Sequence, residues 1–176
     1  MNMKKKMTIS VKNICIEDIK ELANLEYHIW RSTYRGILPD EYLDNLDINH
    51  IQEKFKNKLY DSSVETYLIK HDMSNIGYFS LKYNDNVLEV SKLYILKNYQ
   101  SIGVGSIVAE YIKAKTIEYH IDIVESWVIE GNYISENFHK RMGFIKTTDS
   151  VPLPSFKNIL KHRYIKILTN IDSPIE

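Results

Sequence analysis

The residues best suited to chemistry lie in the stretch YQSIGVGS, residues 99–106, where Gln100 stands three positions ahead of Gly103, and Gly105 follows after one more. An apolar helical pattern begins there. Amides at a helix start are unpaired and carry a partial positive charge, and glycine lets a ligand approach main chain that a β-carbon would block. Gln100, Ser101, Ile102, Gly103, Val104, Gly105 and Ser106 are therefore candidates for cradling a phosphate or diphosphate. The competing reading is a helix start packed tightly on its strand. A P-loop is excluded, because Ser106 follows Gly105 with no lysine between. A dinucleotide fingerprint is disfavoured, because its third small residue is Val108 here, and a dinucleotide oxidoreductase with it.

The elements around this turn follow from periodicity. TISVKNI (8–14) alternates and is rich in β-branched residues, which predicts a strand. Ile19, Leu22, Leu25, Ile29 and Trp30 recur at helical spacing until Gly36 and Pro39 interrupt. A second helical stretch is expected over about 40–60. VETYLIKH and NIGYFSLKYN read as strands joined by a short polar turn, and VLEVSKLYIL (87–96) as a third. A helix to about 118, a strand at 122–129 with Trp127 in the core, and a helix at 132–142 ended by Gly143 follow. Two last strands, FIKTTDS and HRYIKIL, are separated by a loop holding Pro152 and Pro154. The expected fold is a single α/β domain over 1–176, with its core at about 8–168. It has a mixed, mostly antiparallel central sheet, flanking helices and one strand–helix–strand crossover at the glycines.

Composition narrows the function. Lys plus Arg and Asp plus Glu both number 23, so broad attraction to nucleic acid or an acidic membrane is not indicated. The start MNMKKKM is basic but no apolar run follows, which argues against a signal peptide, and no segment has the roughly 18 apolar residues of a membrane helix. Cys15 is the single cysteine and no metal-ligand spacing occurs, so neither a disulfide nor a metal is expected and a cytoplasmic location is the simplest reading.

KLYILKNYQSIGVGS resembles the signature of the GNAT superfamily of acetyl-CoA-dependent N-acetyltransferases: an apolar strand, then Gln, two residues, Gly, one residue, Gly. WVIEGNYISENFHKRMGF (127–144) is similar to a second family segment, with Asn132, Ser135, Phe138, His139, Gly143 and Phe144 at the matching positions. WRSTYRGILPDEYLDNL (30–46) is similar to the acceptor-side region of many bacterial members, PLPSFKNILKHRYIKIL (152–168) occupies the place where members resembling PaiA carry their last strands, and members resembling phosphinothricin acetyltransferases have histidine at the position of His139. The segments occur in the family's order across about 8–168.

The resemblance implies acetyl-CoA as donor. The main chain of Leu93, Tyr94 and Ile95 would meet the pantetheine arm, the turn from Gln100 to Ser106 the diphosphate, and Asn132 and Ser135 the arm from the helix side. It also implies an amine acceptor: a small molecule, polyamines included, or a peptide or protein amine. A non-catalytic acyl-CoA-binding regulator of the same fold stays open, as does a homodimer. An amine of pKa near 10.4 costs roughly 4–5 kcal/mol to deprotonate at pH 7, a proton that a carboxylate can take directly or through water, and the resemblance implies Glu89, on the strand that meets the thioester, as the candidate base. Alternation places Glu89, Ser91, Leu93 and Ile95 on one face of their strand, bulges aside. The departing thiolate gains about 10²–10⁴ in rate from a proton donor. His139 stands where the family usually has tyrosine, and imidazole can donate through either nitrogen according to tautomer. Trp30, Tyr34 and Tyr42 are candidates for an aromatic acceptor pocket.

Overall fold

The computed structural model describes residues 8–168; the MNMKKKM start and the two ends of the 1–176 domain lie outside the described residues. β1 (Ile9–Asn13) is followed by a 3-10 turn and α1 (Ile19–Thr33), then α2 (Asp40–Asp44) and α3 (Ile48–Leu59). The meander β2 (Val64–His71), β3 (Ser74–Asn84) and β4 (Val87–Ile95) precedes α4 (Val104–Glu118). β5 (Ile123–Ile129), α5 (Tyr133–Arg141), β6 (Ile145–Leu153) and β7 (Phe156–Ile167) complete the described chain.

The seven strands form one sheet in the order β1-β2-β3-β4-β5-β7-β6. Among the described strands only β4 and β5 pair in parallel, joined by the α4 crossover, so the sheet is mixed and mostly antiparallel as expected. Alternation on the central strands buries both faces. Ile69, Phe79, Leu81, Leu88 and Val124 pack with Val104 and Val108 of α4. Leu68 and Tyr78 pack on the other face with Ile19, Leu22 and Ile29 of α1 and with Ile51 and Phe55 of α3.

Three expectations are corrected. The helical stretch at 40–60 is two helices, because the Asp47 carboxylate accepts from the amide of Asn49 at 2.8 Å and caps a new start there. The proline loop is the tip of a hairpin: β6 runs to Leu153 and β7 begins at Phe156. Pro152 is tolerated because β6 is the sheet edge and needs no amide on its outer side. Trp127 is half-buried, not core, with the Lys161 ammonium 5.0 Å from its ring centre.

Two irregularities decide the site. Pairing between β4 and β5 covers only Val87↔Ile123, Leu88↔Val124 and Glu89↔Glu125, after which the strands part. The Ser126 hydroxyl donates to the carbonyl of Val90 at 3.1 Å, at the apex of the parting. On the other edge of β4 the register with β3 jumps from Ser80↔Lys92 to Leu81↔Val90, leaving Ser91 as the extra residue of a bulge.

Candidate active site

Downstream of the parting, the outer edge of β4 is exposed. The amide of Leu96 donates to Ile76 on β3 at 2.8 Å, so strand alternation turns the main-chain groups of Leu93 and Ile95 away from β3, into the gap. Those of Tyr94 face β3, which corrects the expectation that all three would be available. The Gln100 side chain donates to the carbonyl of Ile95 at 2.8 Å and so pins the glycine turn to the strand end.

In the turn, Ser101 has φ +62 and Gly103, the N-cap of α4, φ +94. Both are left-handed, a conformation a β-carbon penalises. The carbonyl of Gly103 accepts from Ser106 and Ile107 at 3.1 and 3.2 Å, which starts the helix. Among the described residues, no main-chain carbonyl accepts from the amides of residues 101–105. A β-carbon at Gly103 would meet nothing within 4 Å, so that side of the turn is open. Gly105 answers to packing instead: a β-carbon there would lie 2.7 Å from Cε2 of Phe138 on α5. The two glycines thus divide the two readings of the motif between them. The free amides, the open turn and the bare edge of β4 are what a diphosphate with a long polar arm requires.

On the α4 face of the sheet, between the later turns of α4 and the end of α5, lies a groove of about 750 Å³ that Val90 and Leu93 of β4 join to the parting and whose walls include Thr116, Ile121, Phe138 and His139. Asn132 caps α5 by accepting from the amide of Ser135 at 3.2 Å, and it is nearly buried. His139 is buried against the rings of Phe144 and Tyr164. Its Nδ1 lies 2.7 Å from the carbonyl of Ser135, which can only accept, so Nδ1 carries the hydrogen. Burial lowers the imidazole pKa from its usual 6.5 despite that bond. The neutral ring therefore presents a lone pair at Nε2. The expectation of a proton donor through either nitrogen is corrected: at neutral pH the one N–H is already given to Ser135.

The bulge at Ser91 also corrects the face of Glu89. Opposed residues share a face, so Glu89 (opposite Lys82), Lys92 (opposite Ser80) and Tyr94 (opposite Tyr78) point to the α1–α3 side, while Leu93 and Ile95 pack toward α4. Glu89 thus lies across the sheet from the α4–α5 groove, at the apex of the parting. No hydrogen bond or ion pair holds it among the described residues.

The expected aromatic residues converge on that same side. Tyr34, Trp30 and Tyr42 join one cluster with Tyr94, Leu153 and Phe156. The Tyr34 and Tyr94 hydroxyls bond at 2.8 Å, and burial raises both phenol pKa values. Tyr42 packs edge-on against Phe156. A cleft of about 380 Å³ opens beside the cluster between Gly36 and Ile37, Glu130 and Gly131, and Asn158 and Ile159.

Sequence reasoning missed Glu26. Its carboxylate is buried and accepts from the Tyr78 hydroxyl and the Lys92 ammonium, each at 2.5 Å. The signal was present: Glu26 lies on the apolar stripe of α1, between Leu22 and Ile29. Lys58, on α3, has its ammonium pushed down to about 8 by burial and by Lys92. Arg163 was missed as well, because its partner Glu125 lies 38 residues away in the chain.

Comparison with known proteins places this geometry. The model of the Acetyltransferase (GNAT) family matches residues 22–144. A spermidine N(1)-acetyltransferase of Thermoplasma acidophilum is 26% identical over 151 residues, covering 81% of this chain and 92% of that protein. The crystal structure of the PaiA N-acetyltransferase from Thermoplasma acidophilum in complex with coenzyme A superposes with a TM-score of 0.79 at 22% identity, covering 92% of this chain and 100% of that one. The spermidine N-acetyltransferase from Vibrio cholerae in complex with CoA and spermine superposes with a TM-score of 0.70 at 12% identity, covering 90% and 95%. The match over 22–144, which contains the glycine turn, the parted strands and the His139 helix, shows that the chain belongs to the GNAT family and is an acetyl-CoA-dependent N-acetyltransferase.

Proposed function

We propose that the enzyme acetylates a primary amine of a small molecule by direct attack within a ternary complex, with polyamines as the leading acceptor class. The observation that carries this reading is the parting of β4 and β5 at Glu89, with an open edge and groove on one side and an aromatic cluster and cleft on the other. Acetyl-CoA entering from the α4–α5 side brings its thioester to the gap, and an amine enters from the α1–α2 side. Polyamines are favoured because relatives are spermidine acetyltransferases, and aromatic walls with nearby carboxylates suit an alkylammonium.

In this reading the amides of residues 101–105 hold the diphosphate, with Gln100 and Ser106 framing the turn. Leu93 and Ile95 offer main-chain groups to the pantetheine arm, and Asn132, Ser135 and His139 line its helix side. Glu89, directly or through one water, takes the proton of the attacking ammonium. His139 acts as an acceptor and a wall of the groove. Trp30, Tyr34 and Tyr42 shape the acceptor site. Residues 8–168 work as one domain, in the cytoplasm, as a monomer or homodimer.

The test is thiol release from acetyl-CoA against spermidine, spermine, amino acids, aminoglycosides and lysine-containing peptides. Turnover highest with polyamines supports the reading. Turnover confined to peptides assigns a protein acceptor, and CoA binding without turnover on any amine assigns a regulator.

A further inference from the structure

We propose that Arg163 is a positioning residue for the reaction: it cancels the charge of Glu125, the second carboxylate that the sheet sets beside Glu89. The inference rests on the reading of Glu89 as the base.

Glu89 and Glu125 are Cα partners on the last rung of the parallel pair, so their side chains leave the same face of adjacent strands about 5 Å apart. Two bare carboxylates that close repel each other, and a cation on one of them relieves the other. Glu125 is not left bare. Its Oε2 accepts from Arg163 Nε at 2.8 Å and lies 2.6 Å from the second guanidinium nitrogen, a two-pronged hold. The remaining arm of Arg163 reaches Asp149 at 3.2 Å. Asp149 sits where the β6–β7 register jumps between Lys146 and Ser150, an irregularity that sets it beside Arg163.

None of the other cations on this side forms an ion pair with Glu125 among the described residues. Lys82 of β3 lies opposite Glu89 without an ion pair. Lys92 of β4 is committed to Glu26 of α1. Lys58 of α3 faces Lys92, Glu26 and Glu89 and stays charged below pH 8, a field common to wild type and the Arg163 variants, and Lys161 of β7 lies over Trp127. Arg163, shared between Glu125 and Asp149, thus pairs one of the two neighbouring carboxylates and leaves Glu89 unpaired.

The test has two arms. In the first, glutamate side chains are labelled with ¹³C, Glu89 is assigned by the signal lost in Glu89→Gln, and its titration is followed by NMR in wild type, Arg163→Met and Arg163→Met/Glu125→Gln. Arg163→Met is expected to raise the Glu89 midpoint by about one pH unit, and the double variant to return it to within a few tenths of wild type. An unmoved midpoint, or a shift that Glu125→Gln fails to reverse, overturns the proposal. Arg163→Lys keeps the charge without the fork and is expected to give a smaller shift; it serves if Arg163→Met does not fold. In the second arm, the acid limb of kcat/KM for spermidine is compared in the same variants. A limb that follows the NMR midpoint upholds both ideas. A midpoint that moves while the limb stays put refutes Glu89 as the base but leaves the charge pairing intact.

Discussion

Gly105 offers the sharpest test of how the glycine turn is built. A β-carbon there would lie 2.7 Å from Cε2 of Phe138, with the next ring atoms at 3.4 and 3.5 Å. Carbon–carbon contacts are comfortable at about 3.5–4.0 Å, so in Gly105→Ala the ring, or α5 with it, must retreat by about 1 Å. Overpacking of this kind costs about 1–3 kcal/mol, and replacing a helical glycine by alanine returns roughly 0.5–1 kcal/mol. The net loss is about 1–2 kcal/mol, which for a chain of this size lowers Tm by roughly 2–8 °C. Phe138 also walls the groove, so affinity for CoA falls with stability. The check is calorimetric melting and CoA titration of Gly105→Ala, Phe138→Leu and the double variant. The clash is absent from the double variant, so its loss should be smaller than the sum of the single losses by about 1 kcal/mol. Additive losses, or a Gly105→Ala protein that melts at or above wild type, would refute the packing explanation.

Other perturbations separate the remaining roles. Gly103→Ala meets no neighbour but strains a φ of +94, so it should cost about 1–2 kcal/mol in melting, Gly103→Asn should cost less, and Phe138→Leu should rescue neither. Lys58 holds its proton less tightly folded, at about 8, than unfolded, at 10.5. Its charged form therefore costs stability below pH 8, and that cost fades as pH rises through 8–10.5. Lys58→Met should stabilise by about 1–2 kcal/mol at pH 7 and by less at pH 10, read by chemical denaturation at both. His139 has a folded pKa below its unfolded 6.5, so its contribution is present above pH 6.5 and is lost as pH falls below that value. His139→Phe should flatten the fall of Tm below pH 6.5 and, if Nδ1–H stays committed to the Ser135 carbonyl during turnover, should lower turnover without removing a basic limb from the rate profile.

Much of this protein was legible in the order of its residues. Alternation in VETYLIKH and NIGYFSLKYN and the 3.6 spacing of Ile19, Leu22 and Ile29 dictate strands and helices, because burying one face is the main thing each element does. The turn at 99–106 announced itself through residue types whose effects are local: a left-handed φ at Gly103 and unpaired amides at a helix start. What only the tertiary structure decided depends on contacts across many residues. Asp47 restarted a helix because its carboxylate reached an amide two residues on, a local bond that competes weakly with an unbroken apolar pattern. One bulge at Ser91 carried Glu89 from the α4 side to the α1–α3 side, since side chains alternate with a period of two and a single extra residue reverses the phase. The hydrogen on His139 was assigned by a carbonyl one helical turn away, and the charge beside Glu89 by an arginine on another strand. Local pattern chose the elements; register and through-space electrostatics chose which side of the sheet, and in which protonation state, each reactive group stands.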